Sequence, residues 1–481
     1  MGYFASVFWS LEPKSGELVR LVWWGLATVW IVLAFVSRSR PVQAPPRWVR
    51  GLSWAIKLPV ALFVMLVVGW THAYGYLTAL FVSAFGTVAF GVVEGVGLSL
   101  CLWYFIKAPA ARPRTLAVGA TFLFLGSMQF VVYALWMWSP PDREVCAEVT
   151  RSGQVEGISP PHWPAELSQP YSLLYVPEKK GLLASFKMAG NGALPFWNDP
   201  NANRILAYDL SGQSASSVMP LHGPNYPIHL IYEPALEQVL VSRVGTDEHV
   251  LDLLDLSGFP AMTRTRTLDI PYPPHDLVSH HASGVFGVFT QHGTLNWVSQ
   301  QDLSHTHAMN LGKDGGPATV TLNGWRAPGT SKIYASMLLH ALVEVDIESR
   351  EVRWSEGRLG GGYLAGDTES GQLVSTDHLF NTIDVINMET LAVTRTLDVD
   401  YTPRPLQIDV GRDLLMVGGW FDGMVRFYRL STLEAVGPTV SFGAYLRDLA
   451  FDPEQGLLFG ASKCGVFKLS VDVLVGTDSP N

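Results

Sequence analysis

Histidine is the residue type here with the widest chemical reach. Twelve of the thirteen fall after residue 140, and His275, His280, His281, His292, His305 and His307 crowd one stretch. Imidazole binds zinc or copper, but a metal site needs three or four ligands converging on one point. These six spread over several expected strands and two turns, without the helical spacing of a metalloprotease motif. They read as turn and strand-end residues, and no metal is assigned. A second set flanks a recurring leucine: Tyr171, Ser172, His229, His275 and Asp276, then Tyr363, Arg404, Arg447 and Asp448. Both signs of charge mixed with aromatic rings suit a polar binding pocket. Solvation of a water-filled channel would use the same residue types. The chain has no G-x-S-x-G elbow, P-loop, C-x-x-C-H haem site or H-E-x-x-H pair. No catalytic residue and no cofactor is therefore assigned.

The elements that must position these residues repeat. Leu173, Leu230, Leu277, Leu322, Leu364, Leu406 and Leu449 recur at intervals of 57, 47, 45, 42, 42 and 43 residues. Most precede a turn rich in Asp, Glu, Pro and Gly, such as Asp452-Pro453-Glu454-Gln455-Gly456. A short apolar strand follows each turn, as in Leu414-Leu415-Met416-Val417. A third strand ends in a polar turn (Ile205 to Leu210) and a fourth alternates (Val393 to Leu397). Four short strands per repeat of this length is the arithmetic of a propeller blade. Long amphipathic helical patterns are missing after residue 165, which disfavours a helical solenoid. The expected fold for 141–481 is an all-β seven-bladed propeller, its blades starting near residue 165. The long first interval holds a Gly/Pro-rich insertion at 190–200 carrying Phe196 and Trp197, expected as a loop on one rim, where exposed loops often carry function.

The stretch from Gln372 to Phe442 resembles the repeats of the YVTN family of seven-bladed propellers. It runs Ile383-Asp384-Val385-Ile386-Asn387-Met388-Glu389-Thr390-Leu391, then Val393 to Val399 and Thr402-Pro403. The resemblance is close over the last three blades and loose over the first four. It implies a ring related to lactonase-like and quinoprotein-like propellers. The metal-binding acids of the lactonases and the repeated Trp docking motif of the quinoproteins have no counterpart here, so only the fold carries over. Rings of this kind are often closed by a strand from the chain's beginning. Glu144 to Thr150 could supply it, pairing with Val466 to Leu469, which would bring Cys146 close to Cys464. A disulfide there would stabilise by roughly 4–5 kcal/mol through loop closure; two free or buried thiols are the alternative.

Ahead of the repeat the composition changes. Residues 1–140 hold three acids against ten bases, leaving 39 acids and 23 bases beyond, so the parts carry +7 and −16. The acidic part argues against nucleic acid, which needs clustered Lys and Arg. Four apolar stretches, near 19–36, 56–74, 77–106 and 115–138, are long enough to span a bilayer. They predict an all-α transmembrane anchor of four helices over 1–140. Arg38, Arg40, Arg47, Arg50 and Lys57 crowd the first connection, Lys107, Arg112 and Arg114 the third, and the second has none. Positive loops stay in the cytoplasm, which puts the N-terminus and everything after 138 outside. A cleaved signal peptide is disfavoured, because Ser37-Arg38-Ser39-Arg40 stands where a small-residue cleavage site belongs. Glu94 is the one acid within an expected span. It is a functional candidate, or a packing residue beside Gly91 and Gly95.

These observations predict a multi-pass protein of an inner membrane, in contact with the lipid bilayer and carrying its propeller in the periplasm. The expected role is a binding or scaffold module for a protein, peptide or glycan partner of the envelope. Two alternatives stand beside it: a hydrolase or dehydrogenase working at the channel mouth, and an accessory subunit of a larger membrane complex packing through Glu94.

Overall fold

The computed structural model describes residues 143–151, 153–158, 168–188, 204–211, 216–221, 226–244, 249–271, 273–290, 292–312, 321–337, 342–356, 362–378, 380–443 and 445–475. The four expected spans, Glu94, Phe196 and Trp197 lie outside them. Among the described residues no helix is long and apolar enough to cross a membrane.

Seven four-stranded antiparallel sheets follow one another along the chain. Their innermost strands are Ser168–Val176, Tyr226–Glu233, Pro274–His280, Thr321–Arg326, Leu364–Asp367, Pro403–Asp409 and Asp448–Asp452. Each touches the innermost strand of the next blade, and the seventh touches the first, so the ring is closed. Six blades use consecutive strands. The seventh takes its outer strand, Glu156–Gly157, from the beginning of the domain.

The apolar second strands follow from this geometry. In Gly181–Met188, Leu182 packs with Phe459 and Val466 of blade 7, whereas its neighbour Leu183 packs with Val239 and Leu254 of blade 2. A strand sandwiched between two blades buries both faces, so alternation disappears and a continuous apolar run remains. The core is divided among the seven interfaces between blades. Fourth strands lie at the outside, and Thr263–Ile270 is accordingly exposed along most of its length. The polar turns after third strands are side-chain-capped: Asp209 accepts from the N–H of Ser211, Asp255 from Ser257, and Asn387 from Glu389 and Thr390. Asp and Asn favour turns by this local bond.

Two expectations need correction. Glu144 to Thr150 do not form the closing strand, because Arg143–Arg151 is a helix. The helix places Val149 in the interface of blades 6 and 7 with Phe442 and Phe467, and a left-handed glycine, Gly153, stops it. A nine-residue extended segment could not set Cys146 and Val149 on one face; at i, i+3 a helix does. Closure comes a few residues later, where Glu156 pairs with Lys468 and Gly157 with Phe467.

The second correction concerns blade 4. Leu173, Leu230, Leu277, Leu364, Leu406 and Leu449 all face the fourth residue of their second strand, but there the partner of Ala335 is Gly324, not Leu322. A Cβ at Gly324 would come within 2.3 Å of the Phe289 ring of blade 3. The phenylalanine fills the space that leucine occupies elsewhere, so the repeat is kept in volume and lost in sequence.

Candidate functional site at the channel mouth

The residue just before the repeat position is Ser172, His229, Asp276, Asn323, Tyr363, Pro405 and Asp448 in blades 1 to 7. Innermost strands leave their inner edge unpaired, and a buried N–H needs an acceptor. Side chains at this position supply it across blade boundaries. Asp448 Oδ2 accepts from the Leu173 N–H at 2.8 Å. Asp276 Oδ2 accepts from the Gly324 N–H and from Asn323 Nδ2, and Asn323 Oδ1 accepts from the Leu364 N–H at 2.8 Å. Proline at 405 cannot take part; in that blade Gln407 Nε2 donates to the Leu449 carbonyl at 2.7 Å. These residues surround an axial cavity of about 150 Å³ lined by all seven innermost strands.

The cavity's electrostatics follow from burial. Removal from water pushes Asp276 up to about 7 and Asp448 up to about 6, although backbone N–H groups pull both the other way. His229 Nδ1 lies 3.3 Å from Asp276 Oδ1. Burial, with the nearby charges of His275 and Arg404, holds this imidazole well below its ordinary range, so it is neutral.

Joined to the cavity through Tyr363 is a layer of cations and rings. The Arg404 guanidinium sits 4.1 Å over the Trp420 ring and 5.8 Å from that of Tyr363. Arg447 sits 3.8 Å over Tyr445 and 4.9 Å over Tyr171. The Trp420 and Tyr445 rings are 5.7 Å apart, so the two stacks are adjacent, and Tyr363 Oη donates to the Arg447 carbonyl. Tyr171 meets His229 edge-on, and His229 lies 5.8 Å from His275. Guanidinium groups over ring faces gain roughly 0.5–2 kcal/mol each and stay fixed in orientation. Trp420 and Lys463 both sit in hairpins joining second to third strands, which places this layer at the end of the ring carrying those hairpins. Burial, then the charge of Arg447, pushes the Lys463 amine down to about 7.

All nine residues flanking the recurring leucines meet in one network, but they divide in role. Asp276 and Asp448 accept backbone N–H groups across blade boundaries, while the Ser172 N–H donates to Ser185 Oγ within its own blade and its side chain bonds Asp448. Tyr171, Tyr363, Arg404 and Arg447 form the aromatic and cationic layer, with His229 and His275 between. Sequence reasoning missed Asn323, Gln407, Trp420, Tyr445 and Lys463. Asn323 was hidden by the two-residue register error in blade 4; Trp420 and Lys463 lie in hairpins that no inner-strand pattern marks. The remaining histidines scatter: His280 caps the turn 281–283 and lies 3.3 Å from the Thr330 carbonyl, while His305 and His307 lie on an outer strand. Among the described residues no three His, Cys, Asp or Glu side chains are grouped to hold a metal ion.

Cys146 and Cys464 are joined in a disulfide with Cα atoms 5.1 Å apart. Cys464 follows Lys463 directly, so the bond ties the N-terminal helix to the hairpin that carries the amine. Gly443 packs against this bond in a left-handed conformation; a Cβ there would fall 2.8 Å from Cys464 Sγ. Compared with known protein families and with curated proteins, the chain matches none.

Proposed function

We propose that the chain is a membrane-anchored, extracytoplasmic propeller of the YVTN type that binds a partner of the envelope at its channel mouth. One observation carries this reading: Arg404 and Arg447 are held on adjacent aromatic rings at one end of the ring, and two buried donors beside them are unused. Arg447 Nε and Trp420 Nε1 are buried without a hydrogen-bond partner among the described residues. Buried donors without acceptors are costly, and a bound ligand relieves the cost. The apolar stretches before residue 140 and their charged loops support the anchor and its orientation. An outward location accords with the Cys146–Cys464 bond, since disulfides persist in oxidising compartments. The repeat from Gln372 to Phe442 supports the YVTN reading.

The test uses the full chain extracted in a mild detergent. A partner recovered with the native protein should be lost from Arg404→Gln and Trp420→Ala variants that keep their thermal stability. Equal recovery with these variants would remove the mouth as the docking site.

The His229–Asp276 pair favours a second reading, an envelope hydrolase. A neutral imidazole 3.3 Å from a carboxylate is equipped to act as a general base. Hydrolysis of model esters by the native chain, abolished in His229→Gln, would select this reading over docking alone.

A further inference from the structure

We infer that the channel mouth is a receptor for the carboxylate group of a small organic ligand, gripped by Arg447 and Arg404 with Lys463 beside them and the ligand's apolar body against the aromatic rings. This rests on the docking role proposed above and names the chemistry it would recognise.

The domain beyond residue 140 carries 39 acids against 23 bases, yet this end of the ring gathers three cations. Arg447 is only 7% exposed, and no carboxylate pairs with it among the described residues. Its cationic face is covered by Tyr445 and Tyr171, which cannot accept from its N–H edge in the plane of the group. An oxyanion is what that edge can bind, because a guanidinium fork matches two coplanar oxygens. Arg404 is stacked in the same way on the neighbouring Trp420, so the two forks are orientationally fixed before a ligand arrives. Preorganisation of this kind reduces the ordering cost of binding.

The choice of anion follows from what lies nearby. Asp276 and Asp448 line the axial cavity, and Asp448 interacts electrostatically with Arg404. These carboxylates repel a second negative charge, so a monoanion fits better than a phosphate dianion. The rings of Tyr171, Tyr363 and Trp420 offer apolar and aromatic surface to the rest of the ligand, as binding pockets do around a few oriented polar groups. A single carboxylate on a compact ring or chain satisfies both demands.

The experiment is calorimetric titration of the detergent-solubilised full chain with sodium benzoate, with benzamide as its uncharged isostere, and with inorganic phosphate. Benzoate is expected to bind, benzamide at least about tenfold more weakly, and phosphate more weakly than benzoate. Arg447→Gln should weaken benzoate by about tenfold or more, and Arg447→Lys, which keeps the charge but loses the fork, should fall between. Benzoate binding should also take up a fraction of a proton near pH 7.5, read from its heat in buffers of different ionisation enthalpy, as Lys463 recharges. Equal binding of benzoate and benzamide, tighter binding of phosphate, or no benzoate heat at millimolar concentration would each overturn the inference. Should Arg447→Gln fail to fold, Arg447→Lys and Lys463→Gln carry the same comparison. Silence towards benzoate while the partner is still lost from Trp420→Ala would sink the carboxylate and leave docking intact. Benzoate binding with undiminished partner recovery by that variant would do the reverse.

Discussion

The carboxylate of Asp448 in blade 7 accepts the backbone N–H of Leu173 in blade 1 at 2.8 Å, across 275 residues of chain. The same relation joins blade 3 to blade 4 through Asp276 and Gly324, and blade 4 to blade 5 through Asn323 and Leu364. Only the first of the three spans the two ends of the ring. Truncating Asp448 leaves a buried N–H without its acceptor at the closure. Asp448→Ala is therefore expected to lose about 2–3 kcal/mol of stability. Asp448→Asn, which keeps one acceptor oxygen, should lose less. Denaturant unfolding of both variants measures the difference.

Buried carboxylates also set a pH dependence. Folding raises Asp448 from 3.8 to about 6 and Asp276 from 3.8 to about 7. Within those windows the native chain binds more protons than the unfolded one. Their contribution is complete below about pH 4 and is lost as pH rises through about 6 and about 7. Thermal melts between pH 4.5 and 7.5 should show Asp276→Asn with a more positive slope of stability against pH than the native chain.

Lys463 works in the opposite direction. Its amine falls from 10.5 in the unfolded chain to about 7 in the fold. Here the unfolded state binds more protons, so native stability rises with pH between about 7 and 10.5. Lys463→Met should remove that rise and be more stable than the native protein at pH 7.5. A melt series across the same interval decides it.

The Cys146–Cys464 bond spans 318 residues and fastens the N-terminal helix to blade 7. Cys146→Ser with Cys464→Ser is expected to lower stability by roughly 4–5 kcal/mol in the chain-entropy account. The helix should open first, exposing Val149 and the hairpin at Lys463. Hydrogen exchange of residues 143–151 would report this, and unchanged protection there would count against the tether.

In blade 4, Phe289 and Gly324 share one volume. Gly324→Ala alone should cost about 1–3 kcal/mol through overpacking. Combining it with Phe289→Leu should recover part of that loss. A double-mutant cycle in which the two effects simply add would show that the glycine has another cause.

Much of this architecture was legible because its signals are local. The apolar second strands, the Asp- and Asn-capped turns and the recurring leucines each reflect bonds or burial within a few residues, and together they specify seven four-stranded blades. The signal failed where tertiary packing replaced local pattern. Gly324 stands at a leucine position because a ring from another blade occupies the space. Arg143–Arg151 is a helix because its half-buried Cys146 and its buried Val149 must face one partner three residues apart.

By itself the sequence determined the number of blades, the inner strand of each apart from the register of the fourth, and part of the polar set beside the axis, since a propeller repeats a local motif. Which of those residues meet was decided only by ring closure. Arg447 reaches Tyr171 because blade 7 lies against blade 1, and Arg404 stacks on Trp420 because a hairpin returns it to the same end. Contacts between distant segments depend on how seven sheets share their faces, and no spacing along one strand encodes that.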